Sequence, residues 1–419
     1  MNMAHRGRWA ALLAVLVLAG CQPASRTNPT TTQTDTTATS ATTTPKIVQP
    51  GALFYTKAGS LYVSEPAGAP GRKLTDGPAD AQPAPSPDLA HVAFVRKKTA
   101  SDYGGELWVL DLSPQLAPLA PPRRLVDPAG LPHGSGGLPP MVARPRWSPT
   151  GHHVAFVDNP TGGAVEGGVL LVAAADTGAI APRPPAASQS ATAWAPFAEP
   201  AFAWAPDGSH IAWLDERSDV RPTNVNALAV GGASTSVATG PNASSVSYAR
   251  DGRAILFTNG DTSDPFMLPK NPFTLRAGGV YSVAASVETG ATPAAPTPLF
   301  TAQGWSYRDM TILDSGAVAF TAQQVGRGAP AARVIQVLDK GSSLPRTTVT
   351  EVATKSVCTE TPRGGGVCHA VQGPAWGAGN ILAYLDNSPE VQLIFTDAEG
   401  RDPKRVDSGV DSFAFPPVP

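Results

Sequence analysis

The chain has few charged residues and no excess of basic ones. Only 15% of its 419 residues are Asp, Glu, Lys or Arg, and 31 basic residues stand against 33 acidic ones, which leaves a formal net charge of -2. Proteins that bind nucleic acid neutralise phosphates with clustered Lys and Arg side chains, and this composition has no such surplus. We therefore expect no nucleic acid among its partners.

Long apolar runs are also scarce, and the most prominent one lies near the N-terminus. Arg6 and Arg8 precede an apolar stretch over residues 9–19 that is too short for a permanent membrane-spanning helix and has the form of a secretory signal. The following Leu18-Ala19-Gly20-Cys21 resembles the lipobox of bacterial lipoproteins, whose cysteine is diacylated and becomes the mature N-terminus. The resemblance implies a signal peptide over residues 1–20 and an extracytoplasmic protein anchored to a bacterial membrane through Cys21. An uncleaved anchor helix that ends in a free cysteine is the alternative.

Large apolar side chains are nearly absent from the next segment, residues 22–47, which is rich in threonine. Such a segment cannot bury enough surface to fold. We expect residues 21–47 to form the lipidated cysteine and a disordered tether with an end-to-end distance of roughly 25 to 30 Å. The folded part is then expected to span residues 48–419.

Cysteine is rare, with three residues in all. With Cys21 assigned to the lipid, Cys358 and Cys368 remain as a pair in the segment VCTETPRGGGVC, and in an oxidising compartment they favour a disulfide across a loop. The chain-entropy model gives such a bridge roughly 2.5 to 3 kcal/mol. A metal site that includes His369 is the alternative, but no second Cys/His pair completes four ligands. We predict a disulfide, no metal site and no cofactor.

One unit repeats through the rest of the chain. The phrase PRWSPTGHHVAFVD at 145–158 returns as PAFAWAPDGSHIAWLD at 200–215, and weaker copies occur at five further places. Each copy has a strand with an aromatic residue, a tight turn and a second strand, which is typical of a β-hairpin. The second strand begins with a triplet of an aliphatic residue, usually an alanine, and an aromatic residue. A third strand follows every triplet and a fourth follows most. The triplets begin at Leu53, Val92, Val154, Ile211, Ile255, Val318 and Leu382.

Seven units of four antiparallel strands predict an all-β fold, a seven-bladed β-propeller, with six or eight blades as alternatives. The first unit lacks its own first strand, and DSFAFPPVP at 411–419 has the pattern of one. We predict that residues 409–415 pair beside residues 51–56 and close the ring, which would remove the last open sheet edges. No helix of useful length is predicted after residue 20.

The units PRWSPTGHHVAF and FAWAPDGSHIAW resemble the TolB-like, or PD40, form of the WD40-type propeller repeat, whose pattern is Pro-x-Trp-Ser-Pro-Asp-Gly-x-x-Ile-Ala-Phe. The resemblance extends over residues 48–419 and implies the propeller fold, but it does not imply one function. TolB itself carries a six-bladed propeller after an α/β domain and is a free periplasmic protein. Here seven units follow a tether and a lipobox, so a role in the Tol system is not implied.

In a four-stranded blade, the connection after the second strand and the link to the next blade lie on one face of the disc, which we call the long-loop face. Long loops on a rigid scaffold often carry recognition. Aromatic and Arg side chains dominate binding hot spots, and from these loops we predict a binding set of Phe266, Phe273, Trp305, Tyr307 and Arg308. Capping of the apolar ends of blades 5 and 6 is the alternative role. The loops on this face are 96–105, 127–144, 158–168, 215–225, 258–278, 301–309, 321–331 and 356–373.

Three histidines, His91, His153 and His210, occupy the same slot after the turn in consecutive repeats. Oligogalacturonate lyases with similar repeats hold a metal in a histidine cluster, but this slot is commonly polar and solvent-facing, so we predict no metal there. The sequence thus predicts a monomeric, lipid-anchored scaffold that binds an envelope protein or glycan through the long-loop face. The alternative is a carbohydrate-active or other propeller enzyme with a site at the mouth of the central channel.

Overall fold

Each aliphatic triplet lies in the second strand of a four-stranded antiparallel sheet, as the repeat predicts. The strand forms there because β-branched and aromatic side chains fit a pleated surface that is covered on both faces. Phe94, Phe156 and Trp213 are at most 1% exposed, and the alanines before them are fully buried. The small central residue lets neighbouring sheets approach closely at interior packing density.

Seven such sheets form a ring, so the fold is a seven-bladed β-propeller and the six- and eight-bladed alternatives are excluded. The strands are, for blade 1, β1 (Leu53–Lys57), β2 (Ser60–Ser64), β3 (Arg72–Lys73) and β30 (Val410–Ala414); for blade 2, β4 (Asp80–Pro85), β5 (His91–Arg96), β6 (Glu106–Asp111) and β7 (Arg123–Arg124); for blade 3, β8 (Val142–Trp147), β9 (His153–Asp158), β10 (Gly168–Ala174) and β11 (Trp194–Ala195); for blade 4, β12 (Phe202–Trp204), β13 (His210–Leu214), β14 (Asn224–Ala229) and β15 (Ser234–Thr239); for blade 5, β16 (Ala243–Tyr248), β17 (Ala254–Asn259), β18 (Gly278–Ala284) and β19 (Thr297–Ala302); for blade 6, β20 (Trp305–Ile312), β21 (Val318–Gln324), β22 (Arg333–Leu338) and β23 (Arg346–Val352); and for blade 7, β26 (Ala375–Gly377), β27 (Ile381–Asn387), β28 (Val391–Asp397) and β29 (Lys404–Ser408). A hairpin of β24 (Val357–Glu360) and β25 (Gly366–His369) lies in the link between blades 6 and 7, and a 3-10 turn spans Pro128–Gly130.

These elements come from a computed structural model of the chain, and they belong to one compact unit, Val48–Pro419. The segment Met1–Ile47, with the predicted signal, lipidation site and tether, lies outside the described residues. Within the described part, no helix combines the length and hydropathy needed to cross a membrane. The described residues are 51–102, 104–131, 139–159, 168–182, 194–195, 202–214, 224–232, 234–239, 243–259, 278–285, 293–324, 333–352, 357–360, 366–369, 374–377, 381–387, 390–397 and 399–417.

The ring closes where the sequence predicts it. Strand β30 pairs antiparallel with β1, so that Tyr55 lies opposite Phe413 and Thr56 opposite Ser412. Phe413 is 2% exposed and packs in one core cluster with residues of blades 1 and 7. A polar contact reinforces this seam, because the Tyr55 hydroxyl donates to Asp407 Oδ2 at 2.8 Å and Lys57 Nζ lies 2.5 Å from Asp407 Oδ1. The C-terminal strand therefore joins the last blade to the first.

The turn between the first and second strands is short and nearly identical in the described blades. In blade 3 the Gly151 N–H donates to the Ser148 carbonyl at 2.9 Å, and Gly151 has a φ of 77°. In blade 2 the same place is taken by Leu89, with a φ of 60°, which a side chain adopts only at a cost. The turns between first and second strands are thus compact.

Candidate functional site at the channel mouth

The first strand of each blade lies closest to the ring axis. First strands of neighbouring blades contact one another, as β30 does with β4, β4 with β8, and β16 with β20. Only the innermost strands of a radial ring can meet in this way, because the blades diverge outwards. Side chains that project from these strands towards the axis therefore wall the central channel.

Five of these inner strands bulge at nearly the same level. In blades 2, 3 and 6, two residues of the first strand oppose one phenylalanine of the second strand, and in blades 1 and 5 one residue is inserted. A β-bulge re-aims a side chain and is common beside functional sites. The bulged residues are Gln82-Pro83, Arg144-Pro145, Asp309-Met310, Asp411 and Ser244.

Three bulges place a residue other than glycine in the left-handed region. Gln82, Arg144 and Asp309 have φ values of 53°, 58° and 55°. Each such residue costs on the order of 1–3 kcal/mol and persists only where its surroundings hold it. The repetition of the same strained conformation in three blades marks this level of the channel as a specialised part of the fold.

Hydrogen bonds between blades hold these bulges. The Gln82 N–H donates to Ser412 Oγ at 2.9 Å, and the Arg144 N–H donates to Gln82 Oε1 at 2.6 Å. On the other side of the ring, the Met310 N–H donates to Ser245 Oγ at 3.2 Å. In each case a bulge N–H is satisfied by a side-chain oxygen of the preceding blade. The bulges and the blade interfaces are therefore locked together.

Within a blade, the bulge is held in one of two ways. The bulged blades without a proline, which are blades 1, 5 and 6, have a buried threonine after the triplet. Its hydroxyl reaches the bulge: Thr321 Oγ1 donates to Asp309 Oδ2 at 2.6 Å, and Thr258 Oγ1 lies 3.0 Å from Ser244 Oγ. Blades 2 and 3 have Pro83 and Pro145 in the bulge, where proline has a fixed φ and no N–H to satisfy. Their second strands carry valine instead of threonine at that position.

Charged side chains from three blades meet at the long-loop end of this level. Lys97 follows the end of β5 and lies within electrostatic reach of Asp411 in blade 1 and Arg144 in blade 3. Burial lowers the pKa of the half-buried Lys97, and the Asp411 charge opposes that shift. Asp411 is exposed, and partial desolvation raises the pKa of its carboxyl, while the Lys97 charge opposes that shift. Desolvation is thus the largest cause of both pKa shifts.

Three residues of the predicted binding set lie in strand β20 and not in a loop. Tyr307 is 2% exposed, and its ring meets those of Phe300 and Phe320 edge-on at 5.1 and 5.4 Å. The expectation that Tyr307 is exposed is therefore wrong, because the first strand of blade 6 begins at Trp305, inside the stretch assigned to the link. Trp305 and Arg308 are half-buried on the same strand.

Other residues singled out in the sequence lie outside the described residues or keep their predictions. Phe266 and Phe273, together with Cys21, are not among the residues described. Cys358 and Cys368 are directly opposite each other in the register of the β24–β25 hairpin, on the long-loop face. The disulfide between them stays a prediction that this register favours.

Two of the three repeated histidines, His91 and His153, pack against the next blade and are not fully solvent-facing. The His91 ring stacks on Trp147 of the next blade at 5.8 Å between centroids, and the His153 ring stacks on Trp204 at 6.3 Å. His91 Nδ1 also lies 2.8 Å from Asp111 Oδ1. In the described part of the chain, no cluster of three His, Cys, Asp or Glu side chains is arranged to hold a metal ion.

A second repeated motif was missed in the sequence, although it supports the same level of the ring. Pairs of glycines lie at the start of the third strand in blades 2, 3 and 5. A Cβ atom at Gly104 or Gly278 would overlap main-chain atoms of Met141 or Trp305, which begin the neighbouring inner strand. The glycines are needed because adjacent blades approach closely here. The recurrence of Gly-Gly at the start of the third strand in these three blades is the signal that could have located it.

Fold and site together define a β-propeller protein with a charged channel mouth. No protein-family model matches the chain, and no curated protein sequence matches it. Among solved structures it is similar to the tricorn protease (TM-score 0.51, 11% identity, 86% of this chain and 34% of that one) and to an oligogalacturonate lyase in complex with manganese (0.50, 13%, 86% and 85%). It is also similar to TolB from Acinetobacter baumannii (0.46, 12%, 79% and 67%). The chain spans about a third of the tricorn protease, and the two likenesses at 0.50 and above support the propeller fold alone.

Proposed function

We propose that the protein is a lipid-anchored, extracytoplasmic propeller that binds a protein of the cell envelope through its long-loop face. Its N-terminus supports the anchoring, because a lipobox at Cys21 precedes a threonine-rich tether. A tether of this kind would hold the propeller away from the lipid headgroups and leave its faces accessible.

The observation that carries the binding role is that Lys97, Asp411 and Arg144, from three adjacent blades, lie at the long-loop end of the channel. Lys97 directly follows β5, and Asp411 and Arg144 are bulge residues in the first strands of blades 1 and 3. Charged side chains fixed on a rigid frame provide orientation and specificity in recognition. On the opposite face, the turns between first and second strands, such as that around Gly151, are compact. We infer that partners approach from the long-loop side.

Site-specific photo-crosslinking in membranes tests this proposal. A crosslinking residue at Ala100, exposed in the loop after β5, should capture an envelope protein reproducibly, whereas one at Asp251, exposed in a turn on the other face, should not. Equal capture from both positions would contradict the assignment of the face. The anchor is tested separately by mass spectrometry of the N-terminal peptide, which should begin at Cys21 and carry the added mass of a diacylglyceryl group; an unmodified thiol at Cys21 would refute lipidation.

A further inference from the structure

One position of the inner strand recurs in all seven blades, and in a single blade it carries a charge. The position lies opposite the central residue of the triplet, and in blade 3 it is Arg146, opposite Ala155. In the other six blades it is an alanine, a serine or a threonine: Ala414, Ala84, Ala203, Ser247, Thr311 and Ala375. These short side chains do not reach across the channel, so the space in front of Arg146 is not filled from the other inner strands at this level.

Arg146 is fixed against the next blade. Its guanidinium carbon lies 5.5 Å from the centroid of the Phe202 ring, and its carbonyl accepts a hydrogen bond from Trp204 Nε1 at 3.1 Å. Both aromatic residues belong to β12, the first strand of blade 4. Arg146 is nevertheless only half-buried. Because it projects from an inner strand, the solvent that reaches it is that of the channel.

No counter-ion balances Arg146 within the described part of the chain. Six other arginines there pair with a carboxylate: Arg96, Arg123, Arg124, Arg250, Arg346 and Arg401. The guanidinium of Arg146 donates to no described acceptor, and its contact is with the Phe202 ring. Burial, followed by the like charge of Arg144, lowers the pKa of Arg146 to about 10, so the group stays protonated at neutral pH. An enclosed charge without a partner is costly unless a bound anion compensates it.

The guanidinium restricts the ligand to an oxyanion. Its planar fork of N–H donors matches two oxygens of a carboxylate or of a phosphate. Arg144, two residues earlier on β8, adds a second positive charge, and its N–H donates to Gln82 Oε1 at 2.6 Å, which fixes its main chain. A cation is repelled by both arginines, and a neutral ligand leaves the charge of Arg146 uncompensated.

We propose that Arg146 forms an anion-binding site in the central channel, for the carboxylate or phosphate group of a small molecule. The guanidinium donates to two oxygens of the anion, and Arg144 adds positive charge beside it. The contacts with Phe202 and Trp204 hold Arg146 in place, so little freedom is lost when the anion binds. The site goes beyond the proposed function, since anion binding within the channel requires no protein partner.

Thermal unfolding of the full-length protein in detergent, followed by tryptophan fluorescence, tests the site. Inorganic phosphate and succinate are titrated separately, at an ionic strength kept constant with sodium chloride. At least one of them should raise the melting temperature of the wild type until the effect saturates, because a ligand that binds the native state stabilises it. The comparison of the two titrations shows whether a phosphate or a carboxylate is the better ligand.

Arg146→Met should need about ten- to hundredfold more anion for the same shift, because a charge-assisted hydrogen bond is lost. The Trp204 hydrogen bond remains in this variant, since its acceptor is the main chain. Arg123→Met is the matched control, because Arg123 is exposed on the outer strand of blade 2, and it should respond to the anions as the wild type does.

A wild type that responds to neither anion, or an Arg146→Met variant that responds like the wild type, would overturn the site. An equal loss in Arg123→Met would overturn it too, because a general decrease in positive charge would then explain the result. Circular dichroism checks that each variant folds. If Arg146→Met does not, Arg146→Gln replaces it, with the same expected loss.

Discussion

Removal of residues 410–419 should open the ring, and this prediction can be given a magnitude. Val410 and Phe413 are 2% exposed and Phe415 is 9% exposed, all in the core at the seam between blades 7 and 1. Full burial of such side chains contributes about 1.5–3 kcal/mol each. The three together account for roughly 5–9 kcal/mol, which is most of the free energy of unfolding of an ordinary domain.

Point variants separate the seam from a general effect of truncation. Phe413→Ala should lower the free energy of unfolding by about 3–5 kcal/mol, since the residue is too well enclosed for its surroundings to collapse fully. Leu344→Ala is the matched control, because Leu344 is 77% exposed and its truncation should stay within about 0.5 kcal/mol.

Urea denaturation followed by circular dichroism and tryptophan fluorescence measures both changes. The truncated chain should unfold at a much lower urea concentration, and the two probes should lose their coincidence because the exposed edges of β1 and β4 fray first. An unchanged midpoint after truncation, or a Phe413→Ala effect no larger than that of Leu344→Ala, would refute closure through β30.

Three further predictions concern the turns, the seam and the hairpin. Gly151→Ala should lower the free energy of unfolding, measured in urea, by about 1 kcal/mol, because Gly151 has a φ of 77°. The cost is conformational, since no atom lies closer than 3.9 Å to the new Cβ. Gly130→Ala, at an open site without a left-handed φ, should leave the stability unchanged. Hydrogen bonds from Lys57 and Tyr55 lower the pKa of Asp407, against the opposing effect of burial. The carboxyl therefore binds protons more readily in the unfolded chain than in the folded one. The stability that Asp407 contributes above its unfolded pKa should be lost as the pH falls through its folded-state pKa. Asp407→Asn should flatten this acid dependence of the urea midpoint, and an unaltered profile would contradict it. If Cys358 and Cys368 are bridged, reductant should lower the free energy of unfolding by up to about 3 kcal/mol. The variant in which both cysteines are replaced by alanine should not respond to reductant.

Much of the fold is local and could be predicted from the sequence. The triplet in His153–Asp158 lies in a strand because its apolar run fits a doubly covered sheet, and the tight turn before it sets the hairpin. The last strand could be predicted because Phe415 and Pro417 have the same spacing as Trp147 and Pro149 in the repeat. Each of these signals lies within about a dozen residues, which is the range over which hairpin geometry acts.

The channel mouth could not be predicted in the same way. Lys97 and Asp411 come from opposite ends of the folded chain and meet only because β30 closes blade 1 beside blade 2. Neither residue belongs to a motif, and each read alone is a surface charge. The two residues lie in neighbouring blades only after the ring has closed, so their proximity cannot be predicted without the closed fold.

The prediction for Tyr307 is wrong because it assigns residues 301–309 to a link, whereas β20 begins at Trp305. The bulge further along β20 affects the interpretation of the residues that follow. In a regular strand, alternate residues face one side, so Trp305 and Tyr307 would predict burial at every second position through β20. The bulge at Asp309-Met310 inserts a residue and reverses that alternation partway along the strand. The same interruption occurs in four other inner strands, and it is what allows a side chain to leave the blade interface for the channel. A sequence pattern based on strict alternation therefore cannot predict which residues after the bulge face the channel.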